Sequence, residues 1–316
     1  MDKAQHKNRL PAAIEAMRPH QWHKNTFVFA APVFAREITQ PDKLLATVIA
    51  FIAFSFAASA VYLMNDLRDI EGDKLHPKKK LRPLPSGRIS KAQAVQLIAV
   101  LFLLSAGLSL YFLPLSSAVV IAVYVVANVF YSFGLKQVVI LDVMFIAVGF
   151  ILRILAGAAA TAVNPSYWLI LCTLNVSLFL GFTKRRAELI ELETDAHSHR
   201  AVLAHYSQAF LDQMIAIVTG ATLVCYILYT VDERTVAVFG TYGLVATVPF
   251  VMYGLFRYLY LGYHLHEGGN PSELVVRDVP LVINGILWIL ACVIVIYWGP
   301  VISELMPWSA DLAPKP

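Results

Sequence analysis

Charge is scarce in this sequence. Only 15% of its 316 residues are Asp, Glu, Lys or Arg, against about a quarter in an ordinary soluble domain. With 58% apolar residues and a mean hydropathy of +0.65, that scarcity excludes a large soluble core and points to a polytopic membrane protein. Cysteine is nearly absent. Cys172, Cys225 and Cys292 each lie in an apolar run, which excludes a disulfide framework and a cysteine metal site. No Gly-rich phosphate loop, Walker sequence or G-x-S-x-G elbow occurs, and there is no low-complexity tract. The first 25 residues are polar, without the leading apolar stretch of a cleavable signal. The net charge of +4 matters less than where the charges fall, and no nucleic acid is expected as a partner.

The densest charge lies in 65–91. A run of 21 uncharged residues, Leu44 to Met64, precedes it, long enough to span a bilayer as a helix. Four acids (Asp66, Asp69, Glu71, Asp73) then fall within eight residues, and eight basic residues lie between Arg68 and Lys91. If the helix continues past the membrane surface, the i, i+3, i+7 spacing puts Asp66, Asp69 and Asp73 along one face with Asn65 beside them. Carboxylates in a row repel one another. Mg²⁺ removes the repulsion, since it sits between one or two carboxylates and a substrate's phosphates. Lys78, Lys79, Lys80, Arg82 and Arg88 then offer cations to phosphate oxygens; the lysine run by itself is mostly a topology signal.

The predicted fold is all-α, one transmembrane domain over 1–316, with an amphipathic surface segment over 1–24 in which Leu10, Ile14 and Met17 recur at helical spacing. Spans are expected at about 44–64, 92–113, 115–135, 138–161, 165–183, 213–231, 235–256 and 279–303. A ninth, 25–35, has only eleven apolar residues between Lys24 and Arg36. It crosses only if Trp22, Lys24 and Arg36 reach the interfaces. Nine spans with a cytoplasmic N-terminus place 20 of the 25 Lys and Arg in cytoplasmic segments and 4 outside, as the positive-inside rule requires. The long polar loops 65–91, 184–212 and 257–278 then all face the cytoplasm.

Two charges fall inside the fifth span. Asp142 and Arg153 are three helical turns apart, about 16 Å along the axis, and intramembrane charges default to a functional role. Asp142 is also readable as an interfacial acid, and Arg153 as a structural arginine bonded to helix carbonyls, Asn128 or Asn175. The loop after the next span opens Lys184-Arg185-Arg186-Ala187-Glu188 and runs on through Glu191, Glu193, Asp195, His197 and His199. The two histidines suit no zinc pattern and read as solvated. The basic triplet is either a topology signal or a phosphate ligand. Three consecutive helical residues fan over about 200°, so Lys184 and Arg185 are expected inward, with Glu188 either holding one of them or joining the metal site, and Arg186 outward.

Several of these stretches carry a resemblance. Asn65-Asp66-x-x-Asp69-x-x-x-Asp73, His76-Pro77, Lys79, Arg82-Pro83 and Gly87 resemble the first aspartate motif of the UbiA superfamily of intramembrane prenyltransferases. Arg18-Pro19-x-x-Trp22-x-Lys24-Asn25, Tyr131-Ser132, Leu135-Lys136, Leu141-Asp142, Arg153 with Gly157, Phe256-Arg257-Tyr258 and Asp278-x-Pro280-Leu281 are similar to the decaprenyl-phosphate phosphoribosyltransferase branch. So is Lys184-Arg185-x-x-Glu188 with Arg200-x-x-Leu203-x-x-Tyr206. Where ordinary members carry a second Asp-rich motif, this loop starts with three basic residues. The departure puts a prenyl diphosphate donor in question.

The resemblance implies Mg²⁺-dependent transfer of a 5-phosphoribosyl group from phosphoribosyl diphosphate to a polyprenyl phosphate in a bacterial inner membrane, with the active site on the cytoplasmic side. Asp66, Asp69 and Asp73 would be catalytic, holding Mg²⁺. Asn65, Arg18, Lys24, Lys79, Arg82, Tyr131, Lys136, Asp142, Arg153, Lys184, Arg185 and Glu188 would bind substrates. The acid block ending in Thr-Gly-Gly of soluble phosphoribosyl diphosphate enzymes is absent, so the donor would be handled by the membrane motif. The alternative enzyme is an aromatic prenyltransferase using a polyprenyl diphosphate. A non-enzymatic alternative is a transporter or lipid carrier with Asp142 and Arg153 along its path.

Overall fold

The computed structural model describes residues 11–76, 79–194, 201–264 and 277–305. The N-terminal residues 1–10, Pro77, Lys78 and the 195–200 stretch with His197 and His199 lie outside them, as do the side chains of Glu191 and Glu193. The described elements are helical. They are α1 (Ala12–Ala16), a 3₁₀ helix (Pro19–Phe29), α2 (Ala30–Phe34), α3 (Pro41–Arg68), α4 (Ile70–Leu75), α5 (Lys91–Phe112), α6 (Leu115–Phe133), α7 (Leu141–Thr161), α8 (Tyr167–Thr194), α9 (Gln208–Val231), α10 (Glu233–Phe239), α11 (Val248–His264) and α12 (Val279–Leu305). No strand forms among the described residues.

Among the described residues eight helices are long and apolar enough to cross a membrane. Seven overlap closely with runs expected from the sequence; the run expected at 235–256 is broken by the short α10 and the left-handed Gly240, and the long helix there covers Gly243–Tyr263. The ninth, over 25–35, is not among the eight. Instead, a 3₁₀ helix of 11 residues runs into the five-residue α2. A 3₁₀ helix rises about 2.0 Å per residue against about 1.5 Å for an α-helix, so this pair covers about 30 Å. The expected amphipathic start is also shorter than drawn: α1 ends at Ala16, and Arg18 takes a left-handed φ of 54° before Pro19 opens the 3₁₀ helix.

The chain divides into two compact units: 1–33 with 37–136 and 152–164, and 34–36 with 137–151 and 165–316. In the first, α3 is the central helix. Its small residues Ala50, Ala53, Ala57 and Ala58 are buried, with Phe54 among them, and small faces allow helices to approach closely without lipid between them. It packs on α5, α6 and the 3₁₀ helix. Trp22 donates to Ser59 at 3.0 Å, Asn25 to Ser55 at 2.9 Å, and Phe29 meets Phe51, so the 3₁₀ helix runs antiparallel along α3. Gly157 lets that strut seat: a Cβ there would stand 1.8 Å from the Val28 carbonyl oxygen. In the second unit α8 pairs with α9, and α11 with α12, around Phe179, Phe182, Leu211, Ile215 and Leu261.

Candidate active site

The acid helix is interrupted where it matters. Helix α3 ends at Arg68, and Asp69 sits at φ −93°, ψ 11° before α4 begins, a bridge-region conformation. The three aspartates therefore do not line one face of a continuous helix. Asp66 and Asp73 stay on one side, each 4% exposed, while Asp69 is re-aimed to Lys136, whose ammonium lies 2.9 and 2.8 Å from its two oxygens. Asp residues compete locally with helical backbone, but nothing in the i, i+3, i+7 pattern marks which residue breaks.

Cations converge on the buried pair. Arg82 Nη1 donates to Asp66 Oδ1 at 3.1 Å and to Asp73 Oδ2 at 2.7 Å. Arg18 also donates to Asp66 Oδ1 and stands over the Tyr62 ring. Lys79 Nζ is 3.7 Å from Asp73 Oδ1. Asn65 accepts from Ser132 on α6, next to Tyr131. The loop is braced by Arg88, whose fork takes Glu15 at 2.6 and 2.8 Å; that pairing holds the Arg88 guanidinium above its ordinary pKa. Lys24 is half-buried on the 3₁₀ helix.

The donor set suits a hard cation. Asp66 and Asp73 bond the same nitrogen of Arg82, so the two carboxylates face a common point. An ion such as Mg²⁺ needs one or two carboxylates when substrate phosphates complete its shell. The expected set of three is not assembled: among the described residues no group of three His, Cys, Asp or Glu side chains is placed to share an ion, because Asp69 turns to Lys136.

Arg153 lies elsewhere, in the core of the first unit and 5% exposed. Its Nε donates to Asn25 at 2.8 Å, its Nη2 contacts the Tyr124 hydroxyl at 3.4 Å, and the guanidinium stands 5.1 Å from both the Phe54 and Tyr124 ring centroids. It ties the 3₁₀ helix to α6. Of the amides expected as structural partners, Asn128 donates to the Tyr124 carbonyl and Asn175 to Leu171. A substrate role for Arg153 finds no support in these contacts.

In the second unit a closed network forms around Asp142. Arg185 Nε donates to Asp142 Oδ2 at 2.6 Å, and Arg185 Nη1 to Glu188 Oε2 at 2.6 Å. The Tyr206 hydroxyl donates to Asp142 Oδ1 at 2.7 Å and accepts the Ile140 N–H at 2.7 Å. Ile140 has a φ of 70°, a costly conformation for a β-branched residue, and that bond helps to hold it. Burial, and next the bond given to Asp142, push the Tyr206 phenol well up, so it stays a donor. Sequence reasoning placed Tyr206 in a motif without a role; its phenol, within the charged 184–212 loop and six residues after Arg200, is the available signal. Arg186 is not outward. It is buried, bonding Asp212 at 2.5 Å and lying 3.9 Å from the Tyr263 ring centroid, since α9 and α11 cover that end of α8. The open member is Lys184, with a side chain 40% exposed and 4.0 Å from Glu188.

Residues 26–273 match one family. The chain belongs to the UbiA prenyltransferase family. It is a multi-pass membrane protein. Within the family it is 33% identical to the decaprenyl-phosphate phosphoribosyltransferase of Corynebacterium glutamicum over 300 residues, covering 93% of this chain and 89% of the relative. The enzyme of the same name from Mycolicibacterium smegmatis is also 33% identical, over 90% of this chain and 92% of its own. A UbiA homolog from Archaeoglobus fulgidus, solved with DMAPP and Mg²⁺, superposes with a TM-score of 0.68 over 90% of this chain and 99% of its own, at 16% identity. That likeness bears on the fold alone.

Proposed function

We propose that this UbiA protein is a membrane phosphoribosyltransferase. It moves the 5-phosphoribosyl group of phosphoribosyl diphosphate onto a polyprenyl phosphate of the decaprenyl type and releases diphosphate. The observation that carries the reading is the match to decaprenyl-phosphate phosphoribosyltransferases along nearly the whole length of both chains. The basic triplet near the C-terminal end of α8, Lys184-Arg185-Arg186, agrees with it, because two anionic substrates need cations where a prenyl diphosphate donor needs a second set of acids.

Asp66 and Asp73 are the residues to hold Mg²⁺, and Asp69 positions Lys136. Bound there, the ion offsets charge that develops on the departing diphosphate. Arg18, Lys79, Arg82 and Lys136 supply the remaining charge to the same group. The lipid phosphate oxygen attacks the anomeric carbon; the bond from that carbon to the diphosphate oxygen breaks, and diphosphate leaves with the electron pair. The phosphate is already anionic and needs no strong base. Lys184 supplies a phosphate contact, with Arg185 and Tyr206 positioning Asp142 and Glu188.

The 3₁₀ helix with α2 serves as a ninth crossing of the bacterial inner membrane, with the polar start through Lys24 in the headgroup region and a short apolar stretch after it, which crosses by way of the interfacial Trp22, Lys24 and Arg36. Loop 65–91 then faces the cytoplasm together with the N-terminus.

The test is to incubate purified protein with Mg²⁺, a polyprenyl phosphate and labelled phosphoribosyl diphosphate. Label is expected in the lipid phase. Label absent there, with turnover of a prenyl diphosphate and an aromatic acceptor instead, would assign the aromatic prenyltransferase reaction. A cysteine at Lys80, in a background without the three native thiols, should resist an impermeant reagent in intact cells; labelling from outside refutes the orientation.

A further inference from the structure

We infer that Arg82 competes with the divalent ion for the same pair of carboxylates, so that metal uptake is coupled to arrival of the diphosphate-bearing donor. The inference rests on the reading of Asp66 and Asp73 as metal ligands. A single nitrogen, Arg82 Nη1, bonds Asp66 at 3.1 Å and Asp73 at 2.7 Å. That is the bridging position a cation takes between two carboxylates. A guanidinium and a metal ion cannot both fill it. Adding the ion therefore means breaking two charge-assisted hydrogen bonds at carboxylates that are 4% exposed.

Arg82 can leave without moving its loop. Its backbone is fixed: Arg82 N donates to Lys79 O at 3.0 Å, and Arg82 O accepts from Ser86 N at 3.0 Å and Ser86 Oγ at 2.6 Å. Its side chain is 32% exposed, so a rotamer change is enough. A released guanidinium presents a planar fork that matches phosphate as well as carboxylate.

Charge balance sets the order of events. Four cations, Arg18, Lys79, Arg82 and Lys136, already pair with the three aspartates. A divalent ion entering alone would leave this cluster with a large positive excess. A diphosphate entering with the ion removes the excess and gives Arg82 and Lys79 new partners. In this scheme Arg82 suppresses metal binding until the donor is present, then becomes one of the donor's ligands. The neighbouring Lys136 does not act this way, because it pairs with Asp69 rather than bridging two acids.

The experiment measures binding of Mn²⁺ alone, as a spectroscopic stand-in for Mg²⁺, by electron paramagnetic resonance. It compares the wild-type protein, Arg82→Gln, Arg82→Lys, Asp66→Asn and the double variant Asp66→Asn/Arg82→Gln. Arg82→Gln should bind Mn²⁺ about tenfold or more tightly than wild type, the worth of one charge-assisted contact, and the gain should vanish in the double variant. Arg82→Lys keeps a positive charge but loses the fork, and should tighten binding less; it carries the test if Arg82→Gln does not fold. Wild-type affinity in both Arg82 variants, with binding still lost on Asp66→Asn, overturns the competition and leaves the metal reading intact. Binding indifferent to both Asp66 and Arg82 overturns the two together.

Discussion

The two units each hold a cluster of acids and arginines, and the clusters differ in kind. Around Asp66 and Asp73 the cations are long side chains on loops and helix ends, between 19% and 34% exposed. Around Asp142 the arginine is 1% exposed and the acid is fully buried, with Tyr206 closing the second oxygen. Exposed partners can be exchanged for a substrate's oxygens at low cost. Buried ones cannot, because removing either leaves a charge stranded in low dielectric. The same residue types therefore make an exchangeable set in one place and a lock in the other.

The sharpest way to break that contrast is at the lock. Asp142→Ala should destabilise the protein by about 3–5 kcal/mol, read as a large fall in Tm in detergent. Arg185→Ala should do the same, and a double replacement by apolar residues should recover part of the loss. A Tm close to wild type for either single variant would mean the cluster is as exchangeable as the one at Asp66.

Asp66→Asn and Asp73→Asn should behave in the opposite manner: turnover lower by about 10²–10³-fold, with Tm nearly unchanged. Asp69→Asn should cost less, since it loses only Lys136. EDTA should reproduce the first two variants, and full activity in EDTA would remove the metal from the reaction.

A third comparison sets two glycines side by side. Gly157→Ala drives a Cβ into the Val28 carbonyl and should cost about 1–3 kcal/mol. Gly107→Ala, with nothing within 4 Å, should be neutral or better, because alanine is the stronger helix former.

Within the basic triplet, Lys184→Ala should raise the KM for one anionic substrate about tenfold and leave Tm alone. Arg186→Ala should lower Tm through loss of Asp212 and Tyr263 rather than change KM. Equal KM effects would erase the distinction between open and closed cations.

The smallest effect is expected at Asp278. The bond from Arg257, and next the Leu281 N–H, hold its carboxyl below the ordinary range. Its contribution to stability is present above the unfolded value near pH 4 and is lost as pH falls through the lower folded value. Asp278→Asn should shift Tm by about a degree or two at pH 7 and by nothing once pH is below both values.

The apolar runs by themselves determined an all-helical membrane protein and located seven of its eight long helices, because a bilayer demands about 20 uncharged residues per crossing; the run at 235–256 missed the break at Gly240 and the helix that starts at Gly243. They also marked the polar segments in which Asp66, Asp73, Arg82, Lys184 and Arg185 lie. Residue spacing could not decide how those side chains are used. It implied one acid face, but a bridge conformation at Asp69 divides it. It left Arg153 open between a functional and a structural role, and only packing shows Asn25 and two aromatic rings around it. It sent Arg186 outward, but two neighbouring helices cover it. Nor could eleven apolar residues reveal a 3₁₀ helix, which is chosen by the fit of Asn25 and Val28 against Ser55 and Gly157. Burial in a membrane is set by local composition, whereas the partner of a charge is set by whichever helix packs beside it, and that information lies far away in the chain.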